Sequence, residues 1–406
     1  MSDMLLINDN SEQTNWGAIA TPYALKKMLH DHIHDLNITS LKYSWLVKKY
    51  KSLKGPMSLV YEADRFPIIE RVSRNIDFFP RIADEFEYVA NEWMSGRGGP
   101  FADEFIPLAR QADIIVHNGE HSIYRNTLEG CRALFLLWFS RVYLNKASCE
   151  INHTAHLTSV LPIMPGMVRL VYPKLDLVTV REPESLENLK DIGIENAELV
   201  PDVVFYLDES EFDEETVARW RRSVGLDGVR YFCISASALP MDHPRAGHDG
   251  ALMKLIRGIK GRGLQAVLVA KDPHCLFLED VARETGSLFF GPDHSFNELF
   301  PLLRKADFLI SGHYHYVIMA SMVGCPFVPL SANSHKMKGV CKHLEWHITE
   351  PYDATFLNGC SNDIISDVEE IIRKRATFSD HLIQRSKELR QRSSMNAKLI
   401  RRMLKG

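Results

Sequence analysis

The sequence predicts an α/β protein of two lobes, each a doubly wound parallel sheet, followed by a long helical segment. Three features predict it. Short β-rich apolar runs alternate with longer stretches of helical period; the alternation occurs twice, with an acidic interruption at Asp208 to Glu215; and beyond residue 362 only the helical period remains. Parallel neighbours need a crossover that returns the chain to the starting edge, and the intervening helices supply it.

In the first half the expected strands are Met4 to Asn8, Leu36 to Lys42, Asp113 to His117, Cys149 to Asn152 and Leu175 to Val180. Helices are expected near Gly17 to His30, Tyr124 to Leu144, Ala155 to Tyr172 and Glu184 to Ile192. Pro162 and Pro165 break the third of these, because proline lacks the N–H that a helix interior needs. The charged, aromatic stretch Leu53 to Pro100 fits neither period. A short helix after the acidic run leads into the second half, and the boundary falls near residues 206–228. Strands follow at Tyr231 to Ser235, Ala266 to Ala270, Ser287 to Phe290, Phe308 to Ile310 and Phe327 to Leu330. Helices at Gly250 to Lys260, Leu276 to Glu284, Asn297 to Lys305, Tyr316 to Val323 and Lys336 to His343 fill the intervals. Asp363 to Leu404 reads as one helix with Leu382, Leu389, Leu399 and Met403 loosely on one stripe.

The expected division is an N-terminal Rossmann-like lobe over 1–206, a C-terminal Rossmann-like lobe over 207–361, and a basic helix over 362–406 that packs back on the body. Two such halves closed by a helix make a GT-B-like architecture. Open α/β sheets bind ligands at the carboxyl ends of their strands, so chemistry is expected in the cleft between the lobes.

With 406 residues, 45% hydrophobic and 25% charged, the chain can bury a sizeable core and lies outside the disordered, collagen-like and low-complexity classes. A net charge of -4 gives no field that would recruit nucleic acid. From Ile371 to Gly406, eleven Lys and Arg face only Asp380 and Glu388, so a basic tail closes an acidic body. That tail is expected either to lie on the body or to reach anionic lipid at the inner face of a membrane. The seven cysteines are scattered and never spaced as CxxC, which argues against a disulfide framework or a structural zinc and for a reducing cytoplasm. The longest apolar run, Ala133 to Leu144, is shorter than a bilayer span and contains Arg141; with no basic-then-apolar leader, a soluble, unprocessed protein is expected.

Four constellations can carry chemistry. Asn15-Trp16-Gly17 stands between the first strand and its helix, where glycine lets backbone N–H groups approach an anion; a plain turn explains it equally well. His117-Asn118-Gly119-Glu120-His121 gathers two imidazoles, an amide and a carboxylate at the end of the third strand, where the bland reading is a turn and a helix cap. Arg181, at another strand end, offers a fork for a carboxylate or phosphate, or else an internal partner for Glu182, Glu184 or Asp202. The densest is Ser311-Gly312-His313-Tyr314-His315, followed one βα unit later by Asn333 and Lys336. His30, His32 and His34 read as surface residues, and His243, His248 and His274 lie near strand ends. No P-loop, GxGxxG fingerprint or GxSxG elbow is present, which weakens NTPase, dehydrogenase and hydrolase readings.

Four stretches, in this order, resemble the polysaccharide pyruvyl transferase family: NGEHSIY from Asn118, TVREPESLENLKDIGI from Thr179, LVPDVVF from Leu199, and SGHYHYVIMASMVGCPFVPLSANSHK from Ser311 to Lys336. The resemblance implies a GT-B-like fold, phosphoenolpyruvate as donor and co-substrate with no cofactor and no metal, and a sugar or lipid-linked oligosaccharide as acceptor, with a pyruvate ketal as product. It implies that Arg181 and His315 match the family's arginine and histidine. His313 stands where the family's RxH motif carries arginine, and His121 where its loop carries a second glycine.

On this reading the first lobe is the acceptor side, with Asn15, Trp16, Gly17, Asn118 and His121 at the cleft. The second is the donor side, with Ser311, Gly312, His313, Asn333 and Lys336 assisting Arg181 on the donor's charges. His315 is the general acid, since imidazoles titrate near neutral pH, and Glu120 accepts the proton of the attacking hydroxyl. Two alternatives stay open: a GT-B glycosyltransferase using a nucleotide sugar, and a catalytically degenerate member that only binds.

Overall fold

The computed structural model describes residues 2–48, 79–120, 122–123, 127–157, 163–237, 248–271 and 275–405. The chain forms two compact units, the first from Met1–Glu12, Leu25–Asp202 and Ser394–Gly406, the second from Gln13–Ala24 and Val203–Ser393. Among the described residues no helix is long and apolar enough to cross a membrane.

The first unit holds a six-stranded sheet: β1 (Ser2–Asp9), β2 (Leu36–Lys42), β3 (Ile114–Asn118), β4 (Ala147–His153), β5 (Leu177–Val180) and β6 (Ala197–Leu199). Their order is β2-β1-β3-β4-β5-β6 and every pairing is parallel. β3 and β5 are buried along their whole length, the condition of strands covered on both faces, whereas edge strand β2 mixes buried and exposed positions. β6 is the strand that the sequence pattern does not reveal. Its three residues, Ala-Glu-Leu, offer neither length nor a β-branched side chain.

Helix α1 (Trp16–His32) follows β1, and its residues up to Ala24 belong to the second unit. The described part of the stretch that fits neither period contains α2 (Phe86–Met94), and its last two residues open α3 (Gly99–Gln111). Both present aromatic rings to α4 (Leu128–Val142) and its neighbours. Trp93 meets Phe135 at 5.0 Å and Phe86 meets Trp138 at 5.2 Å, each edge-on. Such pairs contribute roughly 0.5–1.5 kcal/mol beyond area burial.

Helix α4 begins at Leu128, capped by Thr127, whose Oγ1 accepts the Gly130 N–H at 3.2 Å; the expected start at Tyr124 lies outside the described residues. It is buried continuously from Leu128 to Ser140, Arg132 included. Nη1 of Arg132 donates to the carbonyls of Leu46 (2.5 Å) and Lys48 (3.0 Å), and the guanidinium lies over Phe101 and Phe79, so this buried cation meets two carbonyls and two aromatic faces. The third expected helix is shorter than its apolar pattern. α5 (Ile163–Val171) carries Pro165 in its first turn, where a missing N–H is tolerated, and residues 158–162 lie outside the described set. α6 (Pro183–Asp191) also opens on proline.

The second unit holds β7 (Tyr231–Ser237), β8 (Gln265–Val269), β9 (Leu288–Phe290), β10 (Leu309–Gly312) and β11 (Phe327–Pro329), in the order β11-β10-β7-β8-β9, again all parallel. Its helices are α7 (Glu214–Ser223), α8 (His248–Lys260), α9 (Phe277–Thr285), α10 (Phe296–Lys305), α11 (Tyr314–Met322), α12 (Lys336–His343), α13 (Leu357–Arg373) and α14 (Arg375–Ser393). A capping box of Ser295 and Glu298 starts α10, satisfying N–H groups that the helix itself leaves free.

The C-terminal segment is not one helix. It breaks at Lys374 and again at Ser394, giving α13, α14 and α15 (Met395–Met403). At the second break Ser393 turns its hydroxyl back to the Arg390 carbonyl (2.9 Å), a bond that competes with helix propagation. The break also resets the phase of the apolar stripe. Leu382 and Leu389 are buried as the pattern expects, but in α15 the buried positions are Ala397 and Ile400 while Leu399 and Met403 are only half-buried. Replacing Ile400 by Ala should therefore lower the unfolding free energy by about 2–5 kcal/mol in urea denaturation, whereas Met403→Ala should cost well under half of that.

Candidate functional site

Parallel strands place their carboxyl ends on one edge of each sheet, and in both units that edge collects the polar side chains. In the first unit it is built on β1, β3, β4 and β5. Asn8 adopts the left-handed backbone conformation (φ 67°), which asparagine tolerates better than most residues, and its Nδ2 donates to the carbonyls of Asn118 (2.6 Å) and Glu120 (2.9 Å). Asn118 returns a bond to the Asn8 carbonyl, and Asn10 adds a longer one to Glu120. The loop after β3 is thereby clamped to the end of β1.

Arg181 follows β5 and is 1% exposed. Its Nη1 donates to Glu120 and to Asp202 (2.5 Å), and its Nε to Thr154 Oγ1 (2.8 Å) and Glu182 Oε1 (3.0 Å). Of the two readings the sequence leaves open for this side chain, an anionic ligand or an internal pair, this geometry matches the internal one with Glu182 and Asp202; Glu184 is not among these partners, and Glu120 is added. One guanidinium among three buried carboxylates leaves an excess of negative charge. Burial accordingly pushes the Glu182 carboxyl up, against the opposing pull of Arg181 and the hydroxyls of Ser185 and Thr154.

Behind this cluster lie two buried histidines. His117 Nδ1 is 2.6 Å from Glu150 Oε2, and its Nε2 is 3.2 Å from Ser122 Oγ. His153 Nε2 donates to the Ile123 carbonyl (2.8 Å), and Tyr172 donates its hydroxyl to Nδ1 (2.7 Å), an arrangement that uses the neutral ring. Burial lowers the pKa of His153 in agreement with it. His121 lies outside the described residues, as do Tyr124, His243 and His274, and the side chain of His248 is likewise outside them.

In the second unit, Asn15 caps α1, its Oδ1 accepting from the N–H groups of Gly17 (2.8 Å) and Ala18 (3.3 Å). Trp16 is fully buried; its indole N–H donates to the His294 carbonyl (3.0 Å) and its ring packs on Phe290 and Tyr316. Gly17 lies directly beneath His315. A methyl group there would come within 2.6 Å of the ring's Cγ, so the imidazole occupies space that only glycine leaves open. His315 Nε2 is 3.4 Å from Thr21 Oγ1 on the same helix.

His313 precedes α11, its N–H donating to Ser311 Oγ (2.9 Å) and its Nε2 lying 3.4 Å from Cys275 Sγ. Ser311 in turn meets Ser235 Oγ at 2.7 Å, and Gly312 packs on Ser237, whose Cα would be 2.6 Å from an added Cβ. Both histidines are nearly buried, at 6% and 7% exposed. Asn333 and Lys336 are half-buried at the start of α12, with Asn333 Oδ1 buried and lacking a hydrogen-bond partner among the described residues.

The structure thus joins Asn118, Glu120 and Arg181 in the first unit, and Trp16, Gly17, His313 and His315 in the second. Sequence reasoning passed over Asn8, Asn10, Thr21 and Cys275. The first two had a signal, since Asn8-Asp9-Asn10 is a polar triplet at the carboxyl end of an apolar strand; Thr21 and Cys275 had none.

The fold is shared with solved structures of low identity. HepE from Anabaena in complex with UDP is 12% identical, with a TM-score of 0.58 over 98% of this chain and 99% of that one. A glycosyltransferase from Rickettsia africae is 13% identical, with a TM-score of 0.58 over 100% and 99%. A UDP-GlcNAc 2-epimerase from Methanocaldococcus jannaschii is 13% identical, with a TM-score of 0.53 over 92% and 93%. These likenesses define a GT-B-like fold with two Rossmann-like lobes. No curated protein matches the chain. The family description that matches, over residues 15–334, is polysaccharide pyruvyl transferase; the chain belongs to that family and is a transferase.

The neutral state of His153 fixes the sign of a pH effect. An unfolded chain takes up a proton on this ring near its ordinary pKa of 6.5, and the folded chain resists it, so stability present above that pH is lost as pH falls. Urea denaturation between about pH 7.5 and 5 should show wild type losing up to about 1.4 kcal/mol per pH unit more than His153→Gln, and equal slopes would contradict the assignment.

Proposed function

We propose that this transferase moves the enolpyruvyl group of phosphoenolpyruvate to a sugar of a cell-surface polysaccharide and closes it as a ketal across two hydroxyls. The observation that supports this reading best is the His315 imidazole seated over Gly17, two residues from His313 at the start of α11, within the segment that the family description covers.

The donor carries roughly three negative charges, and the groups proposed to hold it are the N–H groups opening α11, the His313 ring when protonated, and Lys336. His315 gives a proton to the methylene carbon, and positive charge develops at the carbon bearing phosphate. A sugar hydroxyl adds there while Glu120, held in place by Arg181, accepts its proton. The carbon–oxygen bond to phosphate then breaks, phosphate leaves with the electron pair, and the second hydroxyl adds to the same carbon, its proton leaving with phosphate. The step consumes one phosphoenolpyruvate, releases one phosphate, and calls for no metal or cofactor. Lipid-linked acceptors would be met through the basic C-terminal helices, whose Arg and Lys suit an anionic surface.

The competing reading, a nucleotide-sugar donor, draws on the UDP bound in the Anabaena structure. Product analysis separates the two, because one releases phosphate and the other UDP. With phosphoenolpyruvate and a panel of sugar acceptors, His315→Gln should lower the rate of phosphate release by about 10²–10⁴-fold with little change in donor KM. An unchanged rate would remove His315 from the chemistry.

A further inference from the structure

The second unit carries a cavity of about 430 Å³ that the proposed reaction does not use. Helix α11 starts with His315 at the carboxyl edge of the sheet and ends at Met322, which lines the cavity, so the two places lie at opposite ends of one helix. The apolar walls are Phe205 and Leu207 in and after the short turn Val203–Tyr206, Phe212 ahead of α7, Met322 and Val323, and Ile383 on α14. On α14 the lining residues Ile383, Ser386, Lys387 and Arg390 stand three and four apart, so one stripe of that helix turns to the cavity, while Leu382 and Leu389 are buried beside it.

The charged groups of the lining are not equivalent. Arg390 pairs with Asp208 (2.6 Å) and lies over the Tyr206 ring. Arg304 pairs with Glu209 (3.0 Å) and Glu214 (2.8 Å) and lies over Phe212. Lys387 is exposed and has no carboxylate partner among the described residues, which leaves one uncommitted cation at the cavity. Ser386, the one neutral polar side chain among the described lining residues, already donates to Ser321 Oγ (3.2 Å). The walls therefore suit an apolar body, and a polar ligand such as a sugar would find its hydroxyls unpaired there.

We propose that this cavity binds a single-chain lipid anion, its apolar chain against Phe205, Leu207, Met322 and Ile383 and its head group beside Lys387. The volume falls within the range of small-molecule sites, roughly 300–1,000 Å³, and burial of methylene groups is the interaction such walls supply. A peptide segment from another chain fits less well, because it would bring backbone N–H and C=O groups that these side chains leave without partners. The inference rests on the cavity and not on the donor or acceptor proposed above, and it concerns binding without turnover.

The test is calorimetric titration of the full-length protein with octanoate and decanoate, each below its micelle-forming concentration and with no donor or acceptor sugar present. Decanoate should bind saturably at one site, about tenfold or more tighter than octanoate, as the burial of two further methylenes requires. Met322→Trp, which fills the cavity, should weaken decanoate by about tenfold or more, and Lys387→Glu should weaken it by about threefold or more. Farnesyl monophosphate in the same titration separates the two sources of this chemistry: tighter binding than decanoate assigns an isoprenoid phosphate, and weaker binding a fatty carboxylate. Should Met322→Trp fail to fold, Lys387→Glu at the exposed rim takes its place. Absence of saturable decanoate binding, equal affinity for the two chain lengths, or an affinity that the folded variants leave unchanged overturns the proposal. Self-association of the wild type that Met322→Trp abolishes, without decanoate binding, would give the cavity to a second copy of the chain and overturn it too.

Discussion

The guanidinium of Arg181, buried among Glu120, Glu182 and Asp202, is the interaction on which the carboxyl edge of the first unit depends. It ties together the loops that follow β3, β5 and β6, and through Thr154 it reaches the end of β4 as well. Removing one partner from a buried ionic cluster typically costs about 3–5 kcal/mol, because the remaining charges lose their compensation without regaining water. The cluster holds one cation for three carboxylates, and burial raises the Glu182 carboxyl against the opposing pull of Arg181. The Asn8 clamp holds the backbone of Glu120 while Arg181 holds its carboxylate, so a group proposed to accept a proton is fixed at both ends.

The second unit solves its own positioning problem with small residues. His315 can lie on α1 only because position 17 has no side chain, and β10 can meet β7 only because position 312 has none. Hydroxyls then complete the edge, with Ser311 joining the His313 N–H to Ser235. A histidine beside a glycine in sequence is common and uninformative. A histidine whose ring fills the space above a glycine nearly three hundred residues away explains why both residue types are needed.

Much of this was legible before the structure. Strand ends predicted from periodicity fall within a few residues of those observed, because strands buried on both faces leave continuous apolar runs bounded by polar loops. The glycine and histidine motifs stood at strand ends, where ligands of such sheets bind. What stayed hidden depends on tertiary proximity. The Glu120 partner of Arg181, the sulfur beside His313 and the threonine beside His315 are separated from their neighbours by tens to hundreds of positions, and no local pattern marks them. The two breaks of the C-terminal segment carry no local signal, because Lys374, Ser393 and Ser394 are residues that a helix accepts; at the second, the Ser393 hydroxyl bonds the Arg390 carbonyl.

The account as a whole stands on the identity of the donor. The most direct measurement is a thermal-shift titration of the unmodified protein with phosphoenolpyruvate and, separately, with UDP-glucose. A ligand that binds only the folded state, present at 100 times its Kd, stabilises that state by about 2.7 kcal/mol. The account predicts a saturable rise in melting temperature with phosphoenolpyruvate and none with UDP-glucose. A saturable rise with UDP-glucose alone would contradict it.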